Sequence, residues 1–189
     1  PSELAYSFNK RIEVLVNDKR EIALVDVAVV TERYIGARAI WKTENFRDLF
    51  VTFGRPDGIG MSSIVGLLDP LDRDTPEGRR VNLLPLEEAK VILAAPIAPG
   101  LIENVGIGAV ETLKPDQHYK PSVSVGSFAL DGERELTFSE IDDVAVRLQT
   151  DAFRTINVPD CMAYAAKFGL LTSKANNRLA QLSKKGRTS

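Results

Sequence analysis

The run Asp57-Gly58-Ile59-Gly60-Met61-Ser62-Ser63-Ile64-Val65-Gly66 gathers the residue types that contact a phosphate or a sugar. Glycines at 58, 60 and 66 let a backbone come close to a ligand, and Ser62 and Ser63 add hydroxyls. Amides at a helix start favour anions. The spacing lacks the lysine of a Walker A loop and is not a G-x-G-x-x-G fingerprint, so taken alone it fits a structural loop as well as a binding one. A second candidate is Asp26, set in the apolar run Ala23-Leu24-Val25-Asp26-Val27-Ala28-Val29-Val30. Buried without a partner, a carboxylate there costs on the order of several kcal/mol. Asp26 is therefore expected to meet solvent, a cation, or hydroxyl donors such as those of a ribose, an ordinary polar-face aspartate being the simpler reading.

Other reactive types are sparse. The single cysteine, Cys161, cannot form an internal disulfide or hold zinc alone, and it reads as core on the apolar face of a helix. The single histidine, His118, lies in a polar Lys114–Pro121 stretch and reads as solvated. A Ser-His-Asp or Cys-His mechanism would rest on it entirely. No catalytic residue and no metal ligand is assigned. Trp41 and the phenylalanines are scattered as core anchors rather than arrayed as a stacking platform for bases.

The elements that must position these residues have mostly a period of two. Arg11–Val16 alternates, Asn17-Asp18-Lys19-Arg20 supplies a turn, and the β-branched run Glu21–Val30 completes a hairpin. Tyr34–Trp41 reads as a strand, Thr43–Phe50 as a short helix capped by Thr43, and Arg55–Gly60 as a loop feeding the short apolar helix Met61–Leu68. Asp69–Arg80 reads as a polar surface loop, the place for mobility or a partner.

Strands are expected at Val81–Leu84, Lys90–Ala95, Val105–Leu113, Val123–Leu130, Leu136–Phe138, Val144–Leu148 and Phe153–Val158. Asp131-Gly132 signals a tight hairpin. Pro96–Gly100 is expected to be irregular, because two prolines cannot sit in a central ladder. Asp160 reads as the cap of a helix closed by Gly169, and a weaker helix is expected at Ser173–Ser183. Many short strands and few helices imply a mainly β (α+β) fold, a β-sandwich with short helices and a helical C-terminus. Residues 1–172 read as one β-rich domain and 173–189 as a basic helix or tail.

Composition narrows the function classes. With 189 residues, 44% hydrophobic and 26% charged, the chain can bury a sizeable core. No apolar run approaches the ~18 residues of a spanning helix. Thr172–Ser189 holds five basic residues and no acidic one, so the net charge of −2 leaves the body at −7, a poor match for nucleic acid. Pro1 in place of Met, with no signal peptide, suggests a processed or truncated cytoplasmic product.

Four blocks in order carry a resemblance: Val25–Val30, Pro56–Gly66, Ala95–Leu101 and Ala129–Glu135. Together they resemble the C-terminal domain of ATP-NAD kinases, and more closely the acetoin-catabolism X branch of that family, over roughly residues 10–172. The resemblance implies a β-rich acceptor domain that binds NAD as the substrate. The upstream α/β domain it implies carries the Gly-Gly-Asp-Gly loop, the catalytic aspartate and the site for ATP and Mg, in an enzyme that is often a homo-oligomer. Asp26 matches the acidic member of an Asn-acid pair that holds adenosine groups, with Val25 where the Asn would stand. Asp57 and Gly58 match the start of the loop leading to a Gly-Ser-Thr-Ala-Tyr stretch, here Gly60-Met61-Ser62-Ser63-Ile64 without the tyrosine. Asp131 and Gly132 match a structural turn. The expected acceptor-binding residues are thus Asp26, Asp57, Gly58, Gly60, Ser62 and Ser63. Two alternatives stand beside this: a non-catalytic module that binds a nucleotide or partner, and the corresponding domain of a lipid kinase. No Gly-Gly-Asp-Gly occurs in this chain, so it is not expected to transfer a phosphoryl group alone.

Overall fold

The computed structural model describes residues 6–31 and 43–172. The strand expected at Tyr34–Trp41 and the helix expected at Ser173–Ser183 lie outside the described residues. The chain divides into two compact units, Phe8–Arg154 and one formed by the two chain ends, Pro1–Ser7 with Thr155–Ser189.

The elements run β1 (Tyr6–Val16), β2 (Lys19–Ala23), β3 (Asp26–Val30), a 3-10 turn (Thr43–Asn45), β4 (Phe46–Val51), α1 (Ser62–Leu68), β5 (Gly78–Leu84), β6 (Val91–Ala98), β7 (Leu101–Leu113), β8 (His118–Tyr119), β9 (Gly126–Leu130), β10 (Arg134–Phe138), β11 (Val144–Ile156) and α2 (Val158–Lys167). A four-stranded sheet has the order β2-β1-β11-β8, and a seven-stranded sheet has the order β10-β9-β3-β4-β5-β7-β6. The mainly β expectation holds. Among the described residues no helix is long and apolar enough to cross a membrane.

Side-chain alternation explains how the layers pack. Val27 and Val29 of β3 join Ile12, Val14, Phe50, Phe128, Leu130 and Val146 in a core shared by the two sheets. Ala28 and Val30 point the other way, into a second core with Leu49, Val51, Val81 and the α1 residues Ile64 and Val65. The seven-stranded sheet is therefore covered on one face by the other sheet and on the opposite face by α1. Strands buried on both faces lose clean alternation, which is why β4 reads as a helix in the sequence. Phe46, Asp48, Leu49, Phe50 and Val51 are all buried, and β4 pairs with β3 and β5. Only Thr43–Asn45 turns, as a single 3-10 turn.

Four further readings are corrected. The run Glu21–Val30 is broken at Leu24-Val25, so β2 pairs with β1 while β3 joins the other sheet. Pro96 lies inside β6, which is possible because β6 is the edge strand of its sheet and the ladder shifts register between Pro96 and Ala98. The two strands expected at Val144–Leu148 and Phe153–Val158 are one, β11. Asp69–Arg80 is pinned rather than free: Leu71 is buried and bridges Gly54, Arg79 pairs with Asp69 and Glu77, and Lys10 donates to the carbonyls of Asp72 and Glu77.

In the unit of the chain ends, α2 is capped by Asn157, whose side chain accepts from the Asp160 amide, rather than by Asp160. Gly169 ends it in a left-handed conformation (φ 63°), as expected. No residue of α2 is buried, so Cys161 is not core.

Candidate functional site

The break between β2 and β3 is held by two side chains from distant parts of the chain. In the three-residue loop between the paired Leu130 and Arg134, Asp131 and Gly132 both take positive φ (50° and 70°). This geometry sends the Asp131 carboxylate back over Leu24-Val25-Asp26, where it accepts from the amides of Leu24 (2.9 Å), Val25 (2.8 Å) and Asp26 (3.3 Å). From β4's end, Thr52 Oγ1 donates to the Leu24 carbonyl (2.8 Å) and the Thr52 amide donates to that of Val25 (2.9 Å). The Asp131 amide in turn donates to the Asp26 carbonyl at 3.0 Å. A chain crossing between sheets would otherwise bury unpaired peptide groups; here each has a partner.

Asp26 emerges from this knot on the α1 face, sharing parity with Ala28 and Val30. Its carboxylate accepts from the Ser62 amide, one of the first-turn amides with no partner inside the helix. Burial pushes its pKa up to about 7, the neighbouring Asp131 charge pushes it further in the same direction, and the Ser62 bond opposes them. Asp26 and Ser62, 36 positions apart in the sequence, thus meet at one carboxylate.

The loop before α1 shows which of its residues share that position. Ser63 is fully buried, its amide bonds the Gly60 carbonyl at 3.0 Å, and its Oγ has no hydrogen-bond partner. Gly60 has φ +106°, and a Cβ there would meet open space. The Gly60 amide donates to the Pro96 carbonyl of β6 at 2.9 Å. Asp57 is exposed and closes a two-bond pair with Arg55 (3.0 and 2.9 Å), whose guanidinium lowers its pKa. The Gly58 amide caps the same turn on the Arg55 carbonyl. The structure therefore brings Asp26, Ser62, Ser63 and Gly60 together around the start of α1 and ties Asp57 and Gly58 to Arg55. Gly66 serves packing: a Cβ there would lie 2.1 Å from the Arg55 carbonyl oxygen.

Residues 10–151 match the family described as the acetoin catabolism protein X C-terminal domain. The chain belongs to that family. It is 40% identical over 178 residues to a Cupriavidus necator protein named Acetoin catabolism protein X, covering 92% of this chain and 50% of that one. The chain thus spans about half the length of this curated relative. No solved structure matches it.

The span shared with the acetoin catabolism protein X C-terminal domain family contains all six expected site residues, together with Asp131 and Thr52, and excludes α2. Sequence reasoning treated Asp131 as a turn and overlooked Thr52. The Asp-Gly pair announced the hairpin, but nothing local announces which backbone a turn carboxylate will reach. Among the described residues, a cavity of about 450 Å³ lies beside Leu84–Glu87 and Ile102–Asn104, and another of about 330 Å³ between Lys120–Ser124 and Phe138–Asp142. His118 sits on β8 opposite Arg147, exposed. Among the described residues no group of three or more His, Cys, Asp or Glu is placed to hold a metal.

Proposed function

We propose that this chain is the acceptor-binding half of an ATP-NAD kinase-like phosphotransferase, holding an NAD-like nucleotide by its ribose. The relative's name refers to acetoin catabolism, and we assign this chain to the same process. The observation that carries the reading is the convergence of Asp26 and the start of α1, with an unpartnered buried hydroxyl on Ser63 and open space at Gly60. Ionised Asp26 accepts a ribose hydroxyl, Ser62 and Ser63 supply hydroxyls, and Asp57 with Gly58 forms the outer rim of the loop. A carboxylate with a pKa of about 7 changes charge in the range where it would also accept a proton from an attacking hydroxyl.

The donor side lies elsewhere. With no Gly-Gly-Asp-Gly in the sequence, donor phosphates have no cradle here, and ATP and its Mg belong to the other half of the protein.

Calorimetric titration of the chain with NAD, NADP and ATP, below and above pH 7, tests the assignment. Saturable NAD or NADP binding should tighten as pH rises through about 7, because a hydrogen bond to the ionised form requires it. Asp26→Asn should weaken it by about tenfold or more and remove the pH dependence. Asp57→Ala should cost less, since that carboxylate already has Arg55 as its partner. Absence of binding at millimolar nucleotide, or binding indifferent to Asp26→Asn, would overturn the reading.

A further inference from the structure

Strand β6 is the outer edge of the seven-stranded sheet, and from Val91 to Ala98 it carries no charged residue. Edge strands are normally protected by charges, prolines, bulges or a covering loop, because their free peptide groups recruit another strand. In β6 those devices occupy one end only. Pro96 lies there, the ladder shifts between Pro96 and Ala98, and the Gly60 amide covers the Pro96 carbonyl. Among the described residues no such device covers Val91 to Ala95, and Val91 (52%) and Ile92 (54%) are exposed, as is Ile102 (70%) on the neighbouring β7.

The Gly60 bond also shows which peptide groups are free. The Pro96 carbonyl points away from β7, and in an antiparallel ladder each residue's amide and carbonyl share a side. Residues of the same parity, Ile92 and Ala94, therefore present their amides and carbonyls outward.

We infer that this edge is the self-association surface of the chain, pairing antiparallel with β6 of a second copy about a two-fold axis at Leu93. In that register Ile92 faces the partner subunit's Ala94 and exchanges both backbone hydrogen bonds with it, and Ala94 does the same with the partner subunit's Ile92. A large side chain meets a small one at each pair, and no like charges oppose. An axis at Ala94 would direct the Ile92 amide to the partner subunit's Pro96 carbonyl, which Gly60 already occupies, and would find no amide on that proline. An axis at Ile92 or Val91 would need Lys90, which lies outside the strand. The Leu93 axis alone uses only free groups within β6. The inference rests on the β6 edge alone and does not depend on what the Asp26 site binds.

The test combines mass with register. Light scattering or sedimentation over a concentration series should show twice 20.7 kDa for the 189-residue chain. Ala94→Pro removes an outward amide without touching the β6–β7 ladder, and should return the mass to that of the monomer with an unchanged circular dichroism spectrum. In a Cys161→Ser background, Leu93→Cys places two sulfurs across a non-hydrogen-bonded pair with Cα atoms about 4.5 Å apart, within disulfide reach. Mild oxidation should link it, while Val91→Cys, facing the partner subunit's Ala95, should stay unlinked. A chain that is monomeric throughout, or an oligomer that ignores Ala94→Pro and never links through Leu93→Cys, overturns the inference.

Discussion

Asp26 is a carboxylate whose neutral form the fold prefers. Its pKa of about 7 in the folded chain compares with 3.8 for the free group, so between these values the folded state keeps a proton that the unfolded state has lost. The stability linked to that proton is complete below about pH 4 and is lost as pH rises through about 7. Asp26→Asn, neutral at every pH, should remove this slope. The variant should gain on the parent by on the order of 2–4 kcal/mol between pH 4 and pH 8. Urea unfolding of both proteins at the two pH values measures it, and parallel pH profiles would count against the assignment. How far this was legible in the sequence differs by residue. Asp26 stands out because a carboxylate in an apolar run demands an explanation. Asp131 and Thr52 did not, because their bonds to residues 24–26 span 106 and 28 positions, and no local pattern encodes the target of such a reach.

At the level of elements, α1 is the piece that decides whether the site exists. It is a seven-residue helix with no side-chain cap, held by burial of Ile64 and Val65 and by close approach to the preceding loop. That approach requires Gly66, since an added Cβ would sit 2.1 Å from the Arg55 carbonyl oxygen and 2.8 Å from its amide nitrogen, both backbone atoms that cannot rotate aside. Gly66→Ala should therefore cost about 2–3 kcal/mol by thermal or urea unfolding. By displacing α1 it should also withdraw the Ser62 amide that favours ionised Asp26, so the Asp26 carboxyl should titrate above its parent value, as read by NMR. A stability loss with no change in that titration would separate α1 from the Asp26 site. The existence of α1 was readable from the sequence, because turn residues followed at once by an apolar run define a loop-to-helix boundary. The meaning of its glycines was not: a ligand and a neighbouring backbone demand the same missing Cβ. Period-two runs likewise revealed strands, but strand partners are set by long-range pairing. The apolar run Glu21–Val30 could not disclose that its halves belong to different sheets, nor could Pro96 disclose that its strand lies at an edge.

Across the whole Phe8–Arg154 unit, apolar burial supplies the two cores, and a few buried polar ties fix how the layers meet. Lys10 of β1 reaches the carbonyls of Asp72 and Glu77, at 3.0 and 2.7 Å, in the segment between α1 and β5. Asp48 of β4, fully buried, takes two bonds from Arg80 of β5 (3.0 and 2.9 Å) and one from the Ser122 amide (2.6 Å) in the connection between β8 and β9. That connection joins a strand of one sheet to a strand of the other, so Asp48 holds the chain where it changes layers. Arg80 also lies over the Phe50 ring at 5.5 Å, and its remaining contact, Glu111 at 3.4 Å, is exposed. Removing one member of such a pair leaves the other charge largely buried and uncompensated, a far larger effect than the net worth of the pair. Asp48→Ala should therefore cost on the order of 3–5 kcal/mol, with the denaturant slope unchanged if the folded and unfolded states keep their exposed areas. Asp48→Asn, which keeps an acceptor for the Ser122 amide, should cost less. Equilibrium urea unfolding of the three proteins decides it. A loss below about 1 kcal/mol for Asp48→Ala would mean that water reaches Arg80 and that the tie is only a surface pair. A full loss would show that the layer crossing near Ser122, like the one at Leu24-Val25, depends on a carboxylate delivered from a distant part of the chain.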